Sequence, residues 1–321
     1  MSLFHSCYPI AFSKDVLPGQ LYPFKLLNEP LVLFRGHDGK AGILQDRCPH
    51  RSTPLSLGKI KGNCIECPYH GWQFNRLGEC EKIPALLPEK SIPPKAQAGA
   101  KTVIERQGMI WCNLSPSEHH DLPDNYLNHF NCTKPVSYRF EYSAELPIPH
   151  ELMIENLLDP AHLPFAHDGT ISKRKKAAPI DMAIQPHPSE LIAIAVENGI
   201  EKQQFHFDPP FTVYFDLFFK QSAIRQVHYC LPISPEQMKL NSIFFYQNMP
   251  WLRWIPGMQW LQSRMSKKII SQDLAMLSGQ KDNINHGAPA WNQAINADNL
   301  AQRYRQWFRQ QNLEDIWFTH F

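Results

Sequence analysis

The sequence predicts an α+β protein in two parts, an all-β N-terminal domain and a larger C-terminal domain in which strands are mixed with helices. Three observations carry this expectation. Up to about residue 115 the apolar residues fall in short runs separated by turn signals. A polar, proline-containing stretch then reads as a linker. Beyond it, strand-like runs alternate with segments whose apolar residues recur at helical spacing. A length of 321 residues fits two domains of ~100–200 residues each. The expected boundaries are 1–115 for the first domain, 116–135 for the linker and 136–321 for the second domain.

The elements follow in order. Leu31–Phe34 and Ala41–Leu44 flank Gly36-His37-Asp38-Gly39, a hairpin with Asp-Gly in its turn. Lys59–Glu66 reads as one strand. Trp72–Phe74 and Cys80–Ile83 flank the turn Asn75–Gly78, and Val103–Glu105 and Met109–Cys112 pair around Gln107-Gly108. The linker holds His119 and His120, read as solvated. In the second domain Val136–Leu146 alternates as a strand, and Glu151–Leu158 has helical spacing. Strands are expected over Leu191–Val196, Phe211–Phe219, Ile224–Leu231 and Leu240–Tyr246, and helices over Ile269–Leu277 and Asn299–Phe308.

Composition excludes several classes of function. A net charge of +2 gives no electrostatic case for binding nucleic acid or an anionic membrane. The eight cysteines show no paired spacing, as expected of a reducing compartment. No signal peptide and no apolar stretch of about 18 residues stands out. The expected location is therefore cytoplasmic and soluble, with peripheral membrane contact left open. Lys173–Lys176 is the one basic run, a solvated loop or a docking patch for an acidic electron donor. The aromatic stretch Trp251–Trp260 packs inside the domain, lines a substrate entrance or touches a membrane.

Two segments carry chemistry. Cys48-Pro49-His50 and Cys67-Pro68-Tyr69-His70 are separated by sixteen residues. Two thiolates and two imidazoles are the ligand set of a Rieske [2Fe–2S] cluster, where two His replace two Cys on one iron and raise the potential. A zinc site would instead use Cys64 with Cys67 and two of Cys48, His50 and His70. That leaves unexplained the prolines that stiffen each loop. Thr53 and Tyr69 stand where respiratory-chain Rieske proteins carry a disulfide, so a potential near the low end, roughly −150 mV, is expected.

The second segment runs from Glu151 to Gly169. His162 and His167 lie five apart with Pro164 between them, so they belong at a helix end and just past it rather than in mid-helix. Two His and one distant carboxylate make the facial triad of a non-haem Fe(II) site. Asp273, charged among apolar residues of a predicted helix, is the expected third ligand, because an unpaired carboxylate there would be costly. Asp282 is the weaker alternative. Asp159, three before His162, is expected to hydrogen-bond an iron-bound imidazole or to bridge to a cluster His. The competing role for Asp159 is capping a turn. Asn156 is expected to point into the site.

With both motifs in view, the chain resembles the Rieske non-haem iron oxygenases from about residue 7 to 310. The detail is most similar to the pheophorbide a oxygenase group. The likeness rests on Glu155–His162, Pro164–Pro179, Gln272–Leu277 and Cys67–Phe74 with Lys82–Pro84. It implies a helix-grip (START-like) second domain with mononuclear iron in its mouth. It also implies a head-to-tail homotrimer in which Asp159 links one subunit's iron to the next subunit's cluster. A ferredoxin or flavin reductase would supply electrons, and O2 would be used to hydroxylate, demethylate or cleave a small cyclic, aromatic or tetrapyrrole-like substrate. The alternatives are a Rieske-type electron carrier and a ligand-binding protein without oxygenase chemistry.

Overall fold

The computed structural model describes residues 3, 6–114, 126, 128–187, 190–197, 200–291 and 293–311. Its chain divides between Tyr126 and Leu127 into two compact units, a division inside the 116–135 segment. His119 and His120 lie outside the described residues.

The first unit is all-β. Its strands are β1 (Cys7–Phe12), β2 (Leu21–Leu26), β3 (Glu29–Arg35), β4 (Ala41–Gln45), β5 (Lys59–Lys61), β6 (Cys64–Glu66), β7 (Gln73–Phe74), β8 (Cys80–Lys82), β9 (Ala100–Arg106) and β10 (Met109–Asn113). They form a six-stranded sheet ordered β1-β10-β9-β4-β3-β2 and a four-stranded sheet ordered β5-β6-β7-β8. Two-residue turns with positive φ at both positions join β2 to β3 (Leu27, Asn28) and β9 to β10 (Gln107, Gly108), the geometry that matches strand twist. The expected single strand over Lys59–Glu66 is instead a hairpin. Gly62, at φ +62°, turns the chain so that Lys61 pairs with Cys64. Strand β1 was not expected. Pro9 obscures it, and Pro9 is tolerated because β1 lies at a sheet edge with an irregularity beside Pro9.

The second unit contains β11 (Val136–Leu146), α1 (His150–Leu157), a 3-10 turn (Pro160–His162) leading into the short α2 (Leu163–Ala166), β12 (Ile180–Gln185), β13 (Leu191–Glu197), β14 (Ile200–Asp208), β15 (Thr212–Phe218), β16 (Ala223–Ser234), β17 (Gln237–Gln247), α3 (Met258–Asn285) and α4 (Asn299–Arg309). Its seven strands pair antiparallel in the order β11-β17-β16-β15-β14-β13-β12. A long helix held against one curved antiparallel sheet is the helix-grip arrangement.

Helix α3 runs 28 residues, roughly 40 Å, far beyond the expected Ile269–Leu277. Only a narrow stripe of it is buried, and in its first turns Trp260, Leu261 and Met265 are exposed, so the apolar residues there do not mark a core-facing stripe. Strands β12 and β14 were also missed. The first, Ile-Asp-Met-Ala-Ile-Gln, does alternate but is a short edge strand, and the second carries the polar run Glu-Lys-Gln-Gln after Ile200, which masks it.

Helix α1 anchors this unit. Leu152, Met153 and Ile154 are buried against Phe205, Phe207, Cys230 and Leu240 of the sheet and Leu277, Leu300 and Tyr304 of the later helices. Each such side chain contributes roughly 1.5–3 kcal/mol on burial. On the same helix, buried Glu155 accepts from Arg305 Nε at 2.7 Å and from Trp291 Nε1 at 3.1 Å, tying α1 to α4. The core thereby fixes the segment just after α1, where His162 and His167 follow.

Candidate functional site

In the first unit, Cys48 and Cys67 are both 2% exposed and belong to one apolar cluster with Val32, Phe34, Leu44, Ile65 and Phe74. Their loops are built alike. Cys48 N–H donates to the Thr53 carbonyl at 2.9 Å, and Cys67 N–H to the Trp72 carbonyl at 2.8 Å. Ser52 N–H returns to the Cys48 carbonyl and Gly71 N–H to the Cys67 carbonyl, at 2.9 and 3.1 Å. Both returning residues have left-handed backbone, φ +55° at Ser52 and +72° at Gly71. The two loops therefore present their cysteines in the same way from the two sides.

The Cys48 thiol faces the Cys67 thiol and the backbone N–H groups of His50 and Arg51. Burial, aided by the second thiol, pushes its pKa up to about 11. Two buried thiols in this position ionise readily only beside a cation, and a bound metal would supply that charge. The imidazoles lie further out. His50 and His70 have ring centroids 4.5 Å apart, and His50 stacks on Trp72 at 4.7 Å. Desolvation and the neighbouring His50 and Arg51 charges lower the His70 pKa, favouring the neutral imidazole that ligation requires. The zinc set does not assemble, because Cys64 lies in β6 with its thiol donating to Glu81 Oε2 at 3.1 Å. None of the eight cysteines forms a disulfide.

In the second unit, the 3-10 turn ends at His162, and His167 caps the C-terminus of α2. Pro164 sits in the first turn of α2, where its missing N–H has no intrahelical partner to lose. Both imidazoles aim at Asp273 on α3. Asp273 Oδ1 is 3.1 Å from His167 Nε2 and 3.7 Å from His162 Nε2. It is buried, and it makes no hydrogen bond. These three residues are the one group of three or more His, Cys, Asp or Glu among the described residues whose ligand atoms lie within 4.8 Å of one another. Burial raises the Asp273 pKa and lowers that of His162. An orphaned carboxylate oxygen facing two ring nitrogens fits a divalent cation, which would offset that burial.

The imidazoles are oriented from behind. His167 Nδ1 meets Gln272 Oε1 at 3.0 Å, and Gln272 Nε2 donates to Thr170 Oγ1 at 3.0 Å. His162 Nδ1 meets the backbone carbonyl of Asp159 at 2.5 Å. With the other ring nitrogen so engaged, each Nε2 is left with its lone pair directed at Asp273. Asp159 takes part through two groups. Its carbonyl holds the imidazole, while its carboxylate accepts from Ala161 N–H at 2.7 Å and caps the 3-10 turn, 3.8 Å from His162 Nδ1. Asn156 hydrogen-bonds Asp273. Asp282 is exposed on the last turns of α3.

A cavity of about 450 Å³ opens onto the three residues. Its floor is one face of the sheet, including Phe205, Phe215, Ile224, His228, Phe244 and Tyr246. Its roof is a stripe of α3, Gln262, Met265, Ser266, Ile269, Ile270 and Asp273, at the spacing that puts residues on one helix face. The expected contribution from Trp251–Trp260 is absent: Trp251, Trp254 and Trp260 are 59%, 84% and 64% exposed and do not line it. Sequence reasoning missed Gln272, Thr170, His228 and Gln262. For Gln272 a signal existed, since it stands next to Asp273 in a helix; the others required the register.

Residues 6–93 match the Rieske [2Fe-2S] domain, and residues 147–312 match the vanillate O-demethylase oxygenase C-terminal domain. Chlorophyllide a oxygenase of Oryza sativa subsp. japonica is 30% identical over 329 residues, covering 95% of this chain and 57% of that protein. Pheophorbide a oxygenase of the same plant is 26% identical over 361 residues, covering 97% of this chain and 65% of that protein. The chain thus spans little more than half to two thirds of these relatives. Methylxanthine N1-demethylase NdmA of Pseudomonas putida is 27% identical over 318 residues, covering 91% of this chain and 84% of that protein. The NdmA structure superposes with a TM-score of 0.74 at 24% identity, covering 96% of this chain and 90% of that one, and so shares the fold. Among the described residues no helix is long and apolar enough to cross a membrane.

Proposed function

The chain belongs to the Rieske-type oxygenases with a vanillate O-demethylase C-terminal domain, and on that premise we propose that it is the terminal oxygenase of a multicomponent system acting on a small cyclic organic substrate. The observation that carries this reading is the orphaned Asp273 oxygen, facing two imidazoles at the end of a mostly apolar cavity.

In this reading Cys48, His50, Cys67 and His70 hold the [2Fe–2S] cluster, and His162, His167 and Asp273 hold a mononuclear Fe(II). Bound there, the iron supplies O2 activation with electrons delivered one at a time through the cluster. The protein's own work is positional. Gln272 and the Asp159 carbonyl keep both Nε2 atoms turned inward. The apolar walls exclude water and hold the substrate against the metal position. The exposed edge of the His50–His70 pair is where a ferredoxin or flavin reductase would pass its electron. A homotrimer, with the Asp159 carboxylate serving transfer between subunits, is the assembly proposed, on the strength of the family resemblance. A pheophorbide-like substrate is a narrower proposal of the same origin.

The test is reconstitution with a ferredoxin, its reductase, NADH and a panel of cyclic substrates, following O2 uptake and 18O incorporation. The expected result is substrate-dependent uptake that His162→Ala abolishes while the reduced-cluster EPR signal persists. A wild-type protein that reduces and reoxidises its cluster without incorporating oxygen into any member would favour an electron carrier.

A further inference from the structure

One rung of residues crosses the cavity floor over five strands. Phe205 on β14 faces Phe215 on β15, Phe215 faces Gln226 on β16, Gln226 faces Phe244 on β17, and Phe244 faces Phe140 on β11. All five residues line the cavity. The phenyl rings meet in pairs on either side of the glutamine, Phe205 with Phe215 at 5.3 Å between centroids and Phe140 with Phe244 at 5.6 Å. Gln226 therefore sets one primary amide in the middle of a four-phenylalanine floor. Neither the three metal-facing residues nor the groups that orient them make use of it.

Gln226 is half-buried, and among the described residues its side chain has no hydrogen-bond partner. Its amide atoms are not sealed inside the protein as those of Gln262 are, so they open into the cavity. The phenyl rings beside it on β15 and β17 cannot satisfy an amide. A purely apolar substrate closing over this floor would strip the amide of water and offer nothing in return. A primary amide carries a C=O acceptor and an N–H donor along one planar edge. The group that satisfies both together is the same edge reversed, an N–H beside a C=O within a ring.

Resting on the reading of this cavity as the substrate site, we infer that Gln226 recognises the lactam edge of a flat, neutral cyclic substrate, whose N–H donates to the amide oxygen and whose C=O accepts from the amide nitrogen. The phenylalanines of the rung supply the apolar surface for the ring itself. A lactone would meet only the donor half of the amide, and its ring oxygen would face the amide oxygen. Neutrality follows from the lining. No Lys or Arg lines the cavity among the described residues, whereas Asp159 and Asp273 do. An anionic substrate would enter a mostly apolar pocket without a counter-charge.

The test uses cluster- and iron-loaded protein without reductant, so that no turnover occurs, and titrates two-ring probes by calorimetry. Quinolin-2-one has the lactam edge, and coumarin is the same shape with oxygen in place of the N–H. Wild type should bind quinolin-2-one about tenfold more tightly than coumarin, the scale of one hydrogen bond. In Gln226→Leu that ratio should fall to within about twofold. Gln226→Met replaces the Leu variant if thermal melts show that one unfolded. Gln226→Glu should bind 2-aminoquinoline, whose amidine edge pairs with a carboxylate, about tenfold more tightly than wild type does. A packing role for Gln226 would give no such gain. Equal binding of quinolin-2-one and coumarin by wild type, binding of neither, a preference surviving in Gln226→Leu, or no gain in Gln226→Glu would each overturn the inference. The titrations need neither O2 nor an electron donor. A lactam preference without any turnover elsewhere would count against the oxygenase reading alone, whereas turnover with an unaltered preference in Gln226→Leu would count against the role of Gln226 alone.

Discussion

Nε2 of His167 lies 3.1 Å from Oδ1 of Asp273, although one caps a four-residue helix and the other sits midway along α3. The pairing is not a hydrogen bond, and Asp273 Oδ1 has no other partner. Without a cation, the protein keeps in its interior a carboxylate whose bond from Asn156 leaves Oδ1 unsatisfied.

Asp273→Leu should therefore separate stability from function. It removes an orphaned buried oxygen, so the iron-free variant should be more stable than iron-free wild type by about 1–3 kcal/mol. It should also bind no mononuclear iron. Denaturant unfolding of both apo proteins, with iron analysis after loading, reads the two effects. A destabilised apo variant would mean that Asp273 is held by contacts other than a metal.

Gln272→Leu leaves the His167 ring unanchored at Nδ1. Loss of such an outer partner typically weakens metal binding ~10–100-fold. Competition with a chelator should show that drop for the mononuclear iron while the cluster content stays at the wild-type level. Unchanged affinity would show that packing alone fixes the ring.

The two cluster loops share a left-handed position, filled by Ser52 in one and Gly71 in the other. Ser52→Gly should be neutral or mildly stabilising to the loop. Gly71→Ala should cost about 1–2 kcal/mol in backbone strain, and its new Cβ would also meet Pro84 Cγ at 3.0 Å. The readout is melting temperature together with cluster occupancy. Equal tolerance at both positions would contradict the matched-loop description.

The Glu155–Arg305 pair gives a pH-dependent prediction. Burial raises the Glu155 pKa from 4.5 to about 7, with Arg305 opposing the rise. The folded state therefore holds this proton more tightly than the unfolded state, and stability from this group falls as pH rises through that window. Arg305→Met removes the opposing charge. Its destabilisation relative to wild type should be flat up to about pH 6 and grow as pH rises through about 7, by up to about 1.4 kcal/mol by pH 8, whereas Glu155→Leu with Arg305→Met should be close to neutral. A flat pH profile for Arg305→Met would place the Glu155 carboxylate in contact with water.

Much of this was legible in the sequence because most of the proposed ligand residues are local. Cys48 and His50, Cys67 and His70, and His162 and His167 each stand a few positions apart, and turn residues mark their loops. Asp273 could be found because a charge among apolar helical residues needs a reason. The roles that failed to show are those set by register. Asp159 orients His162 with its carbonyl, which every residue has, so its side chain carried no signal of that contact. Gln226 acquires its meaning only from facing Phe215 and Phe244 across the neighbouring ladders. The length of α3 was hidden because most of its first three turns face solvent, edge strand β1 because Pro9 interrupts it, and edge strand β12 because it is only six residues long.

The most direct test of two metal centres in one chain is iron and acid-labile sulfide analysis of anaerobically purified protein, paired with EPR after dithionite. About three iron and two sulfide per chain with a Rieske-type signal are expected, falling to about two iron with the same signal in Asp273→Leu. About two iron in wild type, with no third taken up on adding Fe(II), would contradict the assignment of His162, His167 and Asp273 as a metal site.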